Sequence, residues 1–444
     1  MNGKAIVLAM MAAAVLAAGG VAAAAEKPAA DANGFVKIFN GKDLTGWDGD
    51  PRLWSVVDGA IRGQTTKENP AHGNTFLVWQ GGKPKNFVLK AKWRYQSGNS
   101  GIQYRSKMVP AREGSKNKWV MSGYQMEVRE LGGKAYGLYK IGGTYMEKSS
   151  GGYITAFSDF SVVEADDRGR NKRNSIGKVC DPKLMDEAKL YNQGGWNEYT
   201  LVCRGNYVEQ YVNGQLASAY IDNNTEGRAL EGLIGMQIHA GGPMIIDFKD
   251  VELKTLPEKY GDAVLLFNGK DLTGWTPSSE PVGAAFEATG GAIVCKGNPR
   301  GYLRTEKQYT NYVLRLQLRH HKKCNAGVLL RVHGEDKVWP DSIECQGQKD
   351  SMGDIWNIGE FPMKVAADRT RGRHTKKLHE TNEKPLEQWN DYDLYLNKGD
   401  LVIKVNGLIQ NTATECKEMP GWVALQSEGG PLDYRNIVLI PILD

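Results

Sequence analysis

Apolar and polar residues alternate along much of this chain with a period of two. Phe87, Leu89, Ala91 and Trp93 interleave with Val88, Lys90 and Lys92. Tyr312, Leu314, Leu316 and Leu318 interleave in the same way with Arg315, Gln317 and Arg319. That period predicts strands of a sheet with one buried face. Asn213-Gly214 and Asn406-Gly407 lie between apolar runs and predict tight hairpin turns. Helical periodicity is nearly absent, apart from a short helix expected near Pro182–Leu190. Sheets of this kind hide their apolar rows by facing one another. The predicted fold class is all-β, built of antiparallel β-sandwiches.

The chain also repeats itself. Phe39–Trp47 reads FNGKDLTGW, and Phe267–Trp275 reads FNGKDLTGW again. Further pairs follow in the same order: NFVLKAKW and NYVLRLQL, NSGIQYR and NAGVLLR, GWNEYTL and QWNDYDL, YVNGQ and KVNGL, MQIHAGGP and LQSEGGP. The separation is far longer than a solenoid unit of ~20–50 residues, so two whole domains are expected. Their bounds are about 34–256 and 262–444, with a joint at Pro257–Gly261.

Composition narrows the class. Of 444 residues, 41% are apolar and 24% charged, which excludes a disordered or collagen-like chain. The 53 glycines, well above ~7% usage, agree with many tight turns. Lys and Arg exceed Asp and Glu by 56 − 51 = 5, too little to call for a nucleic-acid or membrane partner. Met1–Ala25 has Lys4, an apolar run from Ala5 to Ala18, and small residues Ala23-Ala24-Ala25 before Glu26. This is the pattern of a secretory signal peptide, and the run falls short of the ~20 apolar residues of a membrane span. An exported protein, periplasmic or extracellular and without a membrane span, is expected. The six cysteines form no CxxC or zinc-like spacing. An oxidising compartment permits disulfides, and Cys180–Cys203 is the first pair to expect. Cys203 and Cys345 alternate with core positions, so buried free thiols are the alternative.

Polar residues gather on the non-core face of several strands. Gln125, Glu127 and Arg129 oppose Tyr124, Met126 and Val128; Gln237 and His239 oppose Ile234, Met236 and Ile238; Gln103 and Arg105 oppose Ile102 and Tyr104. In the second half Glu344 and Gln346 oppose Ile343 and Cys345, Gln426 and Glu428 oppose Val423 and Leu425, and Arg331 opposes Leu330. Carboxylates, amides and Arg hydrogen-bond sugar hydroxyls. The run Asp368–Lys377 is basic, and a solvated loop is expected there. Trp47 and Trp275 are expected to pack within the fold rather than stack on sugar.

FNGKDLTGW, NSGIQYR, WNEYTL, VNG and a late LQ-x-[HE]-GGP followed by YRNI resemble the 3-keto-disaccharide hydrolase domain family, whose fold is a concanavalin A-like, laminarinase-like jelly roll. The resemblance covers both halves and is closer in the second, which carries IECQ, GDIWNIG, NEKPLEQWN and YRNIVLIPI. The first half has Gln125 then Glu127 where the second has Glu344 then Gln346, and His239 where the second has Glu428. The resemblance implies a carbohydrate substrate already oxidised at C3, for which a sugar 3-oxidoreductase would act first. The ketone acidifies the C2 proton, a base removes it, the glycosidic oxygen leaves C1, and water adds back. With the face pattern, it casts Glu127 or His239 as base and acid in the first half, and Glu344 with Glu428 in the second. Arg105 and Arg331 would face the enolate or substrate oxygens, and Gln125, Gln237, Gln346 and Gln426 would bind hydroxyls. Carboxylate, His and water would also suit a divalent metal ion, although no motif specifies one. The alternative function is a non-catalytic carbohydrate-binding protein whose tandem domains raise avidity.

Overall fold

The computed structural model describes residues 30–111, 113–129, 144–147, 152–181, 192 and 194–444. The segment expected to be a signal peptide and the helix expected at Pro182–Leu190 lie outside the described residues.

Each half of the chain is a jelly-roll sandwich of two β-sheets, as the alternation predicts. In the first half, a front sheet runs in the order 152–155, 144–147, 121–129, 99–108, 233–238, 75–79, 47–48. Behind it lies a back sheet centred on 197–204, 87–97 and 244–255. The second half repeats this arrangement. Its front sheet runs 275–277, 301–305, 422–427, 327–333, 341–346, 355–358, 374–375, 370–371, and its back sheet centres on 432–443, 312–320 and 389–397. Nearly all pairings are antiparallel; the strands 159–165 and 215–222 run parallel.

Repeated sequence makes repeated local structure. Asn40 Oδ1 accepts the backbone N–H groups of Lys42 and Asp43, and Asn268 Oδ1 accepts those of Lys270 and Asp271. Trp47 then donates its indole N–H to the Ile38 carbonyl at 2.8 Å, and Trp275 donates to Leu266 at 2.6 Å. Both tryptophans are buried, so the shared opening motif is a packing device, as expected. The two VNG segments are the expected hairpins, with Asn213 and Asn406 at φ 49° and 47° followed by Gly214 and Gly407 at 78° and 82°. Two consecutive residues of positive φ match the right-handed twist of the flanking strands.

The cysteines correct one expectation. All six are buried free thiols, and Cys180 and Cys203 are not joined. Cys203 and Cys345 sit in the two cores as small apolar residues.

The two sandwiches pack through their back sheets. Val313, Val438, Ile440 and Ile442 of the second half join the hydrophobic cluster of the first. Arg315 and Gln317, which alternation alone places toward solvent, are 5% and 2% exposed because the first domain covers them. The front sheets therefore lie on the two outer sides of a four-layer stack, so each half carries its own site face.

Candidate functional site

On the second front sheet, alternation turns Ile343 and Cys345 inward and Ser342, Glu344 and Gln346 outward. Across the neighbouring strand, Gln426 faces the same way. The residue between them is Gly327. A methyl group placed there would lie 2.8 Å from both Gln426 Oε1 and Glu344 Oε1. The glycine thus lets a carboxyl and an amide from different strands close over the sheet. Glu428 follows two positions after Gln426, bridged to Asn325 through the backbone. Burial first, and then the charge of Glu428, push the Glu344 carboxyl up to about 8, against a smaller opposing pull from Arg373. Glu344 is 5% exposed, so its charged form is poorly solvated. Gln426 Oε1 is buried without a hydrogen-bond partner among the described residues. Gln346 shares the face, but its Oε1 accepts the Gln348 backbone N–H at 2.9 Å, which ties it to the following turn.

The site extends toward the sheet edge through residues that alternation does not single out. Glu344 lies opposite Trp356, and Trp356 opposite His374, in one cross-strand row. The imidazole of His374 stacks on the indole at 4.4 Å and 10°, and its Nε2 meets Asp354 Oδ2 at 2.8 Å. Asp354 Oδ1 accepts the Lys377 backbone N–H. The Arg373 guanidinium lies 5.4 Å from the Trp356 ring centre. The basic run is exposed at Arg371, Arg373 and Lys376, as expected, but it is a hairpin rather than a loop. Its residues Thr370–Arg371 and His374–Thr375 form a hairpin that finishes the front sheet. The signal in sequence was the pairing of Trp356, in GDIWNIG, with a distant His-bearing run, a link that only sheet topology makes.

On the first front sheet the same positions hold a different set. Gln125 Nε2 donates to Glu127 Oε1 at 2.9 Å and to Gln237 Oε1 at 3.1 Å. Gln103 Nε2 reaches Gln125 Oε1 at 3.5 Å. Gln125, Glu127 and Gln237 are thus brought together as expected, with Gln103 added. His239 stands at the strand end, half-buried, with Nδ1 2.5 Å from the Ala240 carbonyl oxygen.

Both arginines expected on these faces are elsewhere. Arg105 has φ 47° and Arg331 has φ 56°, and each sits where the strand register slips against its neighbour. A β-bulge re-aims the side chain and ends the simple alternation. Arg105 donates Nε and Nη2 to the Lys85 carbonyl at 3.2 and 2.8 Å. Arg331 donates to the Met419 carbonyl and is fully buried, beside Tyr312 and Cys416. Neither faces the carboxylates, so neither is placed to meet substrate oxygens. Among the described residues, no cluster of three or more His, Cys, Asp or Glu side chains is arranged to hold a metal ion. No helix among them is long and apolar enough to cross a membrane.

The role of Gly327 is testable. Gly327→Ala is expected to fold with a modestly lowered Tm, because the atoms it would crowd belong to the flexible side chains of Gln426 and Glu344 and not to backbone. It should nonetheless lower kcat/KM about 10²-fold by displacing Glu344. Thermal melts beside activity assays check this, and an Ala variant of undiminished activity would show that the closure of Glu344 and Gln426 is immaterial.

A protein named 3-keto-disaccharide hydrolase, from Bacteroides thetaiotaomicron, is 34% identical over 271 residues, spanning 51% of this chain and 80% of the relative. Among solved structures, a Bacillus licheniformis β-glucanase matches 41% of this chain and 98% of its own, at 13% identity and TM-score 0.30. The carbohydrate-binding module CBM66 from Bacillus subtilis matches 47% of this chain and 96% of its own, at 10% identity and TM-score 0.29. Residues 34–254 and 262–440 each match the 3-keto-alpha-glucoside-1,2-lyase-like domain, and the chain, with two copies in tandem, belongs to that family.

Proposed function

We propose that the second domain cleaves 3-keto-glycosides by elimination and hydration, with Glu344 as the base. The observation that carries this reading is the buried Glu344 carboxyl, raised to about 8 and facing Glu428. A base works best when its pKa lies near the working pH. Ionised Glu344 takes the C2 proton, and the C–H electron pair forms the C2–C3 enolate. The enolate collapses to restore the C3 carbonyl and form the C1–C2 double bond, while the C1–O bond breaks and the proton that Glu344 took from C2 passes by way of Glu428 to the departing oxygen. Water then supplies OH to C1 and H to C2, so the net change is hydrolysis with no redox step. Gln426 and Gln346 bind hydroxyls. The named relative from B. thetaiotaomicron and the family both support a keto-sugar substrate. The ketone itself must come from a sugar 3-oxidoreductase, and an exported setting, read from Met1–Ala25, is part of this proposal.

The first domain has an amide, Gln125, where the second has Glu344, and that amide donates to Glu127. Such a face suits holding sugar hydroxyls better than abstracting a carbon-bound proton. Incubation with an aryl 3-keto-glucoside, following aglycone release, tests both domains. Release should be lost in Glu344→Gln and largely kept in Glu127→Gln. No release across several 3-keto substrates, together with measurable glycan binding, would instead make the chain a tandem binding protein.

A further inference from the structure

The elimination needs a cation or strong donor at the C3 oxygen, where the enolate charge develops. The arginine that sequence alternation offers for this, Arg331, is turned into the sandwich and donates to Met419. The hairpin that closes the front sheet presents another. Arg373 lies next to His374, whose backbone pairs with Trp356, which in turn pairs with Glu344. Its side chain is exposed, it lies over the Trp356 ring, and its charge reaches the Glu344 carboxyl.

We propose that Arg373 is the catalytic cation that stabilises the enolate oxygen, and that the Asp354–His374–Trp356 assembly is the platform that positions the keto-sugar ring between Arg373 and Glu344. The inference rests on the reading of Glu344 as the C2 base. The geometry of the platform supports it. Asp354 is buried and fixed on one oxygen by the Lys377 N–H. Its other oxygen fixes the His374 ring, and that ring lies flat against Trp356. A carboxylate that holds an imidazole which in turn backs an indole immobilises the ring before any ligand arrives. A preorganised surface of this kind lowers the ordering cost of binding. The apolar face of a sugar ring has the shape to lie against this assembly, within the row that runs from Glu344 through Trp356 to the hairpin of Arg373. A guanidinium presents several N–H donors in a fixed fork to an oxyanion. His374, bound through Nε2 to Asp354, is a positioning residue.

The test separates enolisation from bond cleavage. In D2O, exchange at C2 of 3-keto-1,5-anhydroglucitol, which has no leaving group, needs only the base and the enolate stabiliser. NMR should show wild-type exchange slowed about 10²–10³-fold in Arg373→Ala, with partial rescue in Arg373→Lys. Aglycone release from an aryl 3-keto-glucoside should fall in parallel. Trp356→Ala should raise KM more than it lowers kcat, and His374→Ala should do the same more weakly, whereas a purely structural role would lower only the yield of folded protein. Glu344→Gln serves as the control. If it abolishes exchange while Arg373→Ala exchanges at the wild-type rate, Arg373 is overturned and the base stands. If Glu344→Gln exchanges normally, the base assignment fails and takes this inference with it. Wild type that neither exchanges nor releases aglycone overturns both.

Discussion

Glu344→Gln is expected to give a protein that is inactive and yet more stable than wild type at neutral and alkaline pH. Loss of a general base lowers kcat/KM by roughly 10²–10⁴-fold. The stability gain follows from the same carboxyl. Its ordinary value is 4.5 and burial with Glu428 lifts it to about 8 in the folded chain. The folded state therefore holds this proton more tightly than the unfolded state. Stability from this group is fully present below pH 4.5 and declines as pH rises toward 8. Each pKa unit corresponds to ~1.4 kcal/mol, so the decline amounts to a few kcal/mol. The amide that replaces the carboxyl has no such proton to lose, so the variant should escape the decline. Melting temperatures of the two proteins should converge near pH 4 and diverge steadily up to pH 8, with the variant higher. Parallel curves would mean that Glu344 titrates normally. In wild type, kcat/KM should rise with pH toward an apparent value near 8, since the base must be ionised. A profile that falls through that region would make Glu344 the proton donor instead.

The fold was legible in the chain because its two strongest signals, period-two alternation and an exact internal repeat, report directly on sheets and duplication. The site was legible wherever alternation is unbroken. Gln125, Glu127, Gln237, Glu344 and Gln426 face outward as the pattern requires, because their strands keep register across the sheet. Arg105 and Arg331 were misplaced for one shared reason. Each stands at a bulge with a left-handed backbone, and one extra residue inverts the facing of the residues after it. The repeat itself held a hint, since NSGIQYR and NAGVLLR end on an Arg in both halves while the flanking polar residues differ. Trp356, Asp354, Arg373 and His374 were hidden for another reason. A hairpin that joins a sheet edge after a long connection leaves no local periodicity, and its charge reads as solvation. Arg315 and Gln317 show the remaining gap. A back sheet that alternates like a solvent-facing one is here covered by the other domain, and nothing within one repeat announces its partner.

That cover leads to the second large expected effect. Glu209→Ala is expected to weaken the joint between the domains and to cost about 3–5 kcal/mol. Glu209 lies in the first domain, with its side chain 1% exposed. Arg315 of the second domain meets its Oε1 through Nη2 at 2.6 Å and Nε at 2.7 Å. Arg204 meets its Oε2 at 3.2 Å, and the hydroxyls of Tyr207 and Tyr211 donate to Oε1. Asp393 completes the cluster at 3.5 Å from Arg315 and 3.7 Å from Arg204. Burial alone would lower Arg315, but Glu209 and Asp393 hold it charged. Burial likewise opposes ionisation of Asp393, and the two guanidiniums prevail, holding it below the usual carboxylate range. Two cations and two anions thus balance, with little of their side chains exposed, in the wall of a cleft of about 800 Å³ that Lys384 and Lys404 also line. Removing Glu209 leaves two buried guanidiniums to share one carboxylate, which is why the cost exceeds that of a surface pair, about 0–1 kcal/mol. Calorimetry of wild type should show one transition with little dependence on salt, since screening hardly reaches buried charges. Glu209→Ala should melt earlier and resolve into two transitions, one per sandwich. Replacing both partners, Glu209→Leu with Arg315→Met, should lose less than the single change, because the one guanidinium that remains, Arg204, still has Asp393 opposite it. A single variant within about 1 kcal/mol of wild type would show that the apolar contacts of Val313, Val438 and Ile440 hold the domains together without the ionic layer.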